Sequence, residues 1–449
     1  MTNRNRFVLL IIIVSSVLSI SYANDAETAA KEEREKRLAT INYGIDSQLI
    51  DLLSTLKAEK NTEFKNELGA VFKRSIGNKL KIAIFDYFSF IESDLLDTNA
   101  KEILLGRDGH DDGLVNSAIN YLASIKSGIA YAEYREILET GEKKFYQSAI
   151  KALAMSPKAS DADLLVSLYK KDDTDMATKE SIIRVLGSMK FDSALELLSN
   201  VLYSEEAGKA IKMYASTALA ELGDKKAVPA MIRAVQGTDP NVRAKAMEAL
   251  GSFTTEEALI AIREGLRDSH VLVRNAAAIA AGKNRDKEAV AYLEYKALWD
   301  PERLVRESSI KALGGIGNKD ALDFLSNFIE NKKQGVQYRA LAMATLVMNG
   351  GDEYRQTALS VYKGSAVEKD KSFYTACTIQ ISQINESSAL DFIEVMLADR
   401  DFSIRLGAIA WAERNEAKSL LATLKSMLGS DDNEAVRNRA ARAVLRLES

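Results

Sequence analysis

Apolar side chains recur along most of this chain at spacings of three and four residues, within blocks that return about every 32 residues. In the clearest block, residues 241–251, Arg243 is followed three residues later by Ala246 and seven residues later by Leu250. Positions separated by three, four and seven residues share one face of an α-helix. The pattern therefore predicts an amphipathic helix that is repeated along the chain.

The position of Arg243, which we call the anchor, returns at steps of 31 to 33 residues and is basic in eight of nine blocks. The anchors are Lys179, Lys212, Arg243, Arg274, Arg306, Arg339, Ser372, Arg405 and Arg437. A mostly small side chain follows three residues later, and a mostly aliphatic one follows seven residues later. Five glycines stand where each helix is expected to end and predict left-handed caps there: Gly187, Gly223, Gly251, Gly282 and Gly314.

A second apolar segment follows most of these helices and begins with Ala-Leu or Ala-Val, as at Ala258-Leu259 and Ala289-Val290. Each block is therefore expected to form two antiparallel helices. The period extends upstream more faintly, without the basic anchor. The sequence predicts an all-α fold, an α-solenoid of about twelve two-helix repeats, degenerate over 44–145 and regular over 146–449.

The motif D-x-x-x-x-V-R-x-x-A-x-x-A-L-G, followed by the Ala-Leu helix, resembles the HEAT-repeat superfamily, and in particular the short HEAT-like repeats of phycobilisome lyases. The resemblance implies a ladder of hydrogen-bonded charges that runs from repeat to repeat. The residues at the family's acidic and basic positions are Asp268 with Arg274, Asp300 with Arg306, and Asp431 with Arg437. The resemblance is specific for the fold and says little about function.

The composition of the 449 residues removes most enzyme chemistries from consideration, because the chain has one cysteine and two histidines. One cysteine excludes an internal disulfide framework and a cysteine-based zinc site. Cys377 lies in a helical segment without a histidine nearby in sequence, so we expect a buried core side chain. We predict no catalytic residue, no cofactor and no metal site.

The N-terminus has the pattern of an export signal. Arg4 and Arg6 precede an apolar run over 7–20, and Ser21-Tyr22-Ala23 then provides small residues for a signal peptidase. We predict a signal peptide over 1–23, cut after Ala23, and a charged helix or tail over 24–43; an uncleaved anchor is the alternative. The mature protein is expected to be periplasmic or secreted, without a stable membrane span, and its mild acidity disfavours nucleic acid.

One aromatic cluster stands out from the repeat pattern. The seventh position of the second helix is Asn200, Arg233, Glu264, Tyr295 and Asn327 in the repeats where it is easily aligned. Tyr292 and Trp299 share a helical stripe with Tyr295. We predict that the three aromatic residues form a partner-binding stripe on a concave surface; packing against the next, less regular repeat is the alternative.

These features favour an exported, non-catalytic scaffold that binds a protein partner along the concave surface of the solenoid. Two alternatives belong to other classes of protein. One is a HEAT-like enzyme of the DNA-glycosylase or lyase type, although the export signal and acidic balance oppose a glycosylase. The other is a structural component of the cell envelope that associates with itself.

Overall fold

A computed structural model describes residues 28–367 and 370–448 of the chain. All regular secondary structure in these residues is helical. The helices follow one another in antiparallel pairs, so the prediction of an all-α solenoid with about a dozen repeats is confirmed. The predicted signal peptide, 1–23, lies outside the described residues.

The chain forms two compact units, of which the first ends at Ser193 and the second begins at Ala194. The first unit opens with a charged helix, α1, over 28–43. The helices that follow in this unit are α2 (Asp46–Glu59), α3 (Lys65–Arg74), α4 (Asn78–Phe90), α5 (Asp97–Leu105), α6 (Asp112–Ser124), α7 (Tyr131–Thr140), α8 (Tyr146–Met155), α9 (Ala159–Tyr169) and α10 (Met176–Met189).

The second unit contains most of the basic anchors. Its first eight helices are α11 (Ala194–Tyr203), α12 (Lys209–Leu222), α13 (Val228–Val235), α14 (Pro240–Leu250), α15 (Glu256–Gly265), α16 (Val271–Lys283), α17 (Val290–Trp299) and α18 (Arg303–Ile316). The remaining helices are α19 (Lys319–Glu330), α20 (Val336–Asn349), α21 (Asp352–Val367), α22 (Lys371–Ile381), α23 (Leu390–Leu397), α24 (Phe402–Arg414), α25 (Leu421–Ser430) and α26 (Glu434–Glu448).

Each unit has two layers. In the second unit the even-numbered helices carry the anchor positions, and we call them anchor helices. They pack directly on one another from α12 to α22 and again from α24 to α26, and over these stretches the odd-numbered second helices are more widely separated. A two-layered array bends toward its more closely spaced layer. The anchor helices therefore form the concave face of this unit and the second helices form the convex face. The prediction that the second helices line the concave surface is wrong.

Small residues explain why the anchor helices approach so closely. Gly251 at the end of α14 lies against Ala280 of α16, and Gly282 of α16 lies against Ala312 of α18. A Cβ atom added at Gly251 would lie 2.9 Å from the Ala280 Cβ, and one added at Gly282 would lie 2.7 Å from the Ala312 Cα. Such distances are too short for carbon atoms, so these positions require glycine for packing.

The predicted role of the glycines as left-handed caps is correct at one position. Gly223 ends α12 with φ of 75°. Gly251 ends α14 with a right-handed backbone. The other three glycines lie inside helices, so for them the predicted cap is wrong: Gly187, Gly282 and Gly314.

A charged ladder links successive repeats, and each rung joins an anchor to the turn of the next repeat. Arg274 donates from Nε and Nη2 to the Asp300 carboxylate at 2.9 and 3.0 Å. Its Nη1 also donates to the backbone oxygen of Asp268, at 3.0 Å, in the turn of its own repeat. The carboxylate of Asp268 is instead held by Arg243 of the preceding repeat, at 2.9 and 3.1 Å.

The same arrangement recurs near the C-terminus. Arg405 donates to the Asp431 carboxylate at 2.8 Å from both Nε and Nη2. Arg437 donates to the backbone oxygen of Asp431 at 2.7 Å. An acid and the arginine six residues after it are thus joined through the backbone, while the carboxylate points to the preceding repeat.

Arg306 departs from this arrangement. Its Nη2 donates to the Gln334 side-chain oxygen at 2.6 Å, and its Nε donates to the Ala297 backbone oxygen at 2.9 Å. Within the described residues it forms no ion pair, and the carboxylate of Asp300 pairs instead with Arg274, at 2.9 Å, and with Lys296, at 3.3 Å. Arg306 is therefore a neutral rung of the ladder, because the turn that receives it carries an amide.

The repeat without a basic anchor is shifted by two residues from its predicted register. Ser372 is exposed, whereas Tyr374 is buried and donates a hydrogen bond to Asp399 of the next repeat. Cys377 and Ile381, three and seven residues after Tyr374, are fully buried. Tyr374 thus occupies the anchor position, and its hydroxyl replaces the guanidinium as the donor.

Candidate functional site

A groove lies on the concave face of the second unit, between anchor helices α14 and α16. We call it the concave groove, and its volume is 510 Å³. Ala244 and Ala276 lie along it, where short side chains leave room between the two helices. Leu272 and Ile279 also line it and are 38% and 53% exposed. The groove therefore offers unpaired apolar surface to a bound molecule.

Polar groups at the margin of the concave groove are partly engaged with one another. Lys245 forms an ion pair with Glu248 at 3.0 Å, and Lys283 donates to the Ser252 hydroxyl at 3.2 Å. The groove thus combines apolar surface with charges of both signs. This combination is suited to a segment of a protein chain that presents apolar side chains.

The concave groove was missed at the level of the sequence, although a signal for it exists. Ile279 lies five residues after its anchor, where the flanking repeats have Glu248 and Lys311. An isoleucine in a column of exposed charged residues is the same kind of departure that singled out Tyr295. The same column comparison along the anchor helices, in addition to the second helices, identifies Ile279.

The aromatic cluster lies on the opposite, convex face, on α17. Tyr295 and Trp299 are 61% and 64% exposed, so neither is packed into the next repeat. Tyr292 is half-buried, and the guanidinium carbon of Arg267 lies 5.4 Å from the centre of its ring. Lys296 lies 5.7 Å from the centre of the Tyr295 ring. A groove of 370 Å³ is lined by Tyr292, Tyr295, Arg267 and Lys296, and not by Trp299.

Cys377 lies in the core of α22 and is fully buried. Burial raises the pKa of its thiol far above the ordinary value. A thiolate is the reactive form of cysteine, so this side chain is unsuited to nucleophilic chemistry.

The described residues offer neither a metal site nor a membrane span. Over 28–367 and 370–448, no cluster of three or more histidine, cysteine or carboxylate side chains is arranged to hold a metal ion. In the same ranges no helix has the length and apolar character that a membrane crossing requires.

Known proteins that resemble this chain are also built from helical repeats. A family model described as spirochaete HEAT repeat protein matches residues 41–443. Deoxyhypusine hydroxylase from Drosophila pseudoobscura pseudoobscura is 32% identical over 96 residues, which is 21% of this chain and 32% of the hydroxylase. The match thus spans about a third of that relative's length.

Solved structures share the fold at low sequence identity. Kap121p bound to Nup53p has a TM-score of 0.51 and 13% identity, with 93% of this chain and 57% of Kap121p covered. The CpcE–CpcF complex of phycocyanin lyase from Nostoc sp. has a TM-score of 0.32 and 20% identity, with 52% of this chain and 92% of that chain covered. The likeness to Kap121p shows a shared helical solenoid.

Proposed function

The chain belongs to the spirochaete HEAT repeat protein family, and we propose that it is an exported, non-catalytic scaffold that binds a protein partner in the concave groove. The observation that carries this proposal is the exposure of Leu272 and Ile279 between two closely packed anchor helices. Isolated exposed apolar residues are common on protein surfaces, but apolar residues that line a groove favour recognition.

Two further features support the proposal. The charged ladder fixes the spacing of the anchor helices, so the groove is formed before a partner arrives and binding does not have to order its walls. The apolar run over 7–20, preceded by two arginines and followed by Ser21-Tyr22-Ala23, supports export to the periplasm or beyond.

The test compares two matched variants of the mature protein. Ile279→Asp places a charge in the concave groove, and Ile76→Asp makes the same change at an exposed isoleucine of the first unit, outside both grooves of the second unit. Both variants are expected to keep the melting temperature of the unmodified protein, because both side chains are at least half exposed. In quantitative pull-downs from envelope extracts, a partner lost with Ile279→Asp and kept with Ile76→Asp supports the proposal. Equal recovery with both variants contradicts it.

A further inference from the structure

The convex face carries a second unpaired apolar surface, formed by the second helices α13, α15 and α17. We call it the convex surface, and its most exposed apolar residues are Ile260, Tyr295 and Trp299, at 49%, 61% and 64%. Arg267 connects α15 to α17, because it lies beside the Tyr292 ring and 3.9 Å from the Glu264 carboxylate. The exposed residues of the two helices thus belong to one continuous surface.

A groove of 430 Å³ lies between α13 and α15 in this surface. Its apolar walls are Ile232, Val235, Met247, Ile260 and Ala261. The groove is open on the convex face because α13 and α15 are more widely separated than the anchor helices α14 and α16. Its apolar lining is suited to one face of an amphipathic helix.

The charges in the α13–α15 groove have one sign. Glu257 and Glu264 line it from α15, seven residues apart and therefore on one face of the helix, with Ile260 between them. Asp268 also lines the groove but is paired with Arg243. Among the described residues no lysine or arginine lines the groove.

The two glutamates are available to a partner. Glu257 forms no ion pair within the described part of the chain, and Glu264 is 3.9 Å from Arg267 with both side chains more than three-fifths exposed. Exposed pairs at such a distance contribute little and are easily exchanged. The groove therefore presents two uncommitted negative charges beside apolar surface.

We propose that the convex surface binds a basic amphipathic helix of a protein partner. The apolar face of that helix lies in the α13–α15 groove over Ile260, and its lysine or arginine side chains meet Glu257 and Glu264. The two glutamates are about 10 Å apart along α15, which matches basic residues seven positions apart on a second helix. Tyr295 and Trp299 extend the contact as aromatic anchors of the kind that dominate interface energetics.

This surface is on the opposite layer from the concave groove, so the two proposals are independent of each other. Charge complementarity determines which kind of helix binds. A basic helix gains affinity and a faster association rate from Glu257 and Glu264, whereas an acidic or neutral helix gains neither. The gain falls as salt is added, because the glutamates are exposed.

The test uses two synthetic peptides of about 18 residues, long enough to form an amphipathic helix on a surface. One is built from leucine and lysine, and the other has glutamate in place of lysine. Binding is measured by fluorescence anisotropy of the labelled peptide on the full mature chain. The double variant Glu257→Gln, Glu264→Gln removes the groove charges, and Glu205→Gln, Glu206→Gln makes the same change at exposed positions elsewhere.

We expect the leucine–lysine peptide to bind and the leucine–glutamate peptide not to bind. The groove variant should weaken binding on the order of tenfold, as should Tyr295→Ala with Trp299→Ala, while the control variant changes it less than about twofold. An equal loss with the control variant, or equal binding of both peptides, overturns the proposal. Circular dichroism spectra of all three variants should match that of the unmodified protein, since every changed side chain is exposed.

Discussion

Arg274 and Asp300 lie in different repeats, yet each is the other's main partner, with two hydrogen bonds of 2.9 and 3.0 Å and both side chains buried. The turn that carries Asp300 is therefore fixed to α16, the anchor helix of the preceding repeat. Each rung sets the position of the next anchor helix, and through it the walls of the concave groove. The ladder thus supports the site although it does not line it.

Removing a charged rung should cost more than removing the neutral one. Arg274→Ala leaves the buried Asp300 carboxylate without its arginine and should lower the free energy of unfolding by about 3 kcal/mol. Arg306→Ala leaves the neutral Gln334 amide without this hydrogen bond, and the free energy of unfolding should fall by about 1 kcal/mol. Arg303→Ala is the control, because it removes an exposed ion pair with Glu307. It should lower the free energy of unfolding by about 0.5 kcal/mol or less. Urea titrations measure all three, and equal losses for Arg274 and Arg306 would contradict the ladder as described.

The loss of unfolding free energy caused by Arg274→Ala should depend on pH. Burial raises the pKa of Asp300, but the hydrogen bonds from Arg274 and the Glu302 backbone outweigh it, and the net pKa lies below the ordinary value. A carboxylate with a lowered pKa in the folded state stabilises the protein above the pKa of the unfolded chain, about 3.9. That stability is lost as the pH falls through the folded-state pKa.

The free-energy difference between the unmodified protein and Arg274→Ala is therefore expected to stay constant from about pH 7 to about pH 5 and to shrink below about pH 4. Urea titrations at several pH values measure it. A difference that stays unchanged into the acidic range would show that the Asp300 charge does not contribute through Arg274.

The sequence predicts the repeat and the exposed aromatic residues because both are visible as columns at a fixed period. Tyr295 breaks a polar column, and the structure leaves it exposed. The register fails at Ser372, since two extra residues precede the anchor position and a tyrosine replaces the arginine, so neither spacing nor charge identifies Tyr374. A hydrogen bond to Asp399 needs only a donor on a side chain that is long enough to reach it. Tyrosine meets this requirement without a charge, so a pattern of basic residues does not reveal it.

The layer to which a helix belongs could not be predicted from its own periodicity, because an amphipathic pattern shows which face is buried and not how closely neighbouring repeats approach. The relevant signal lies in pairs of positions from successive repeats. Gly251 with Ala280, and Gly282 with Ala312, bring the anchor helices together and make their face concave. The sequence pattern alone favours helix caps at these glycines, and the close approach of the anchor helices becomes visible only when the glycines are paired with the alanines of the next repeat.

Cys377 should behave as an inert core thiol. Because burial raises its pKa, almost no thiolate forms near neutral pH, and the side chain is inaccessible to reagents. A maleimide is expected to label the protein only after denaturant is added, as measured by intact mass. Rapid labelling of the native protein at neutral pH would contradict the position of Cys377 in the core.

Export predicts a defined N-terminus. Intact mass of the native protein should correspond to a chain that begins at Asn24, because a signal peptidase is expected to cut after Ala23. Replacing Ala23 by a bulky residue, Ala23→Leu, should leave the precursor uncut. A native protein that retains Met1 to Ala23 would favour the uncleaved anchor.

Site-specific photo-crosslinking in intact cells can show directly whether a protein partner occupies the concave groove. A photoreactive amino acid replaces Ile279 in the groove or, as a control, Met176, which is 54% exposed in the first unit. If the groove is occupied, position 279 should give a discrete adduct with one other protein. That adduct should be lost when Leu272→Asp is added, and position 176 should not give it. The same adducts from both positions, or none from position 279, would contradict occupancy of the groove.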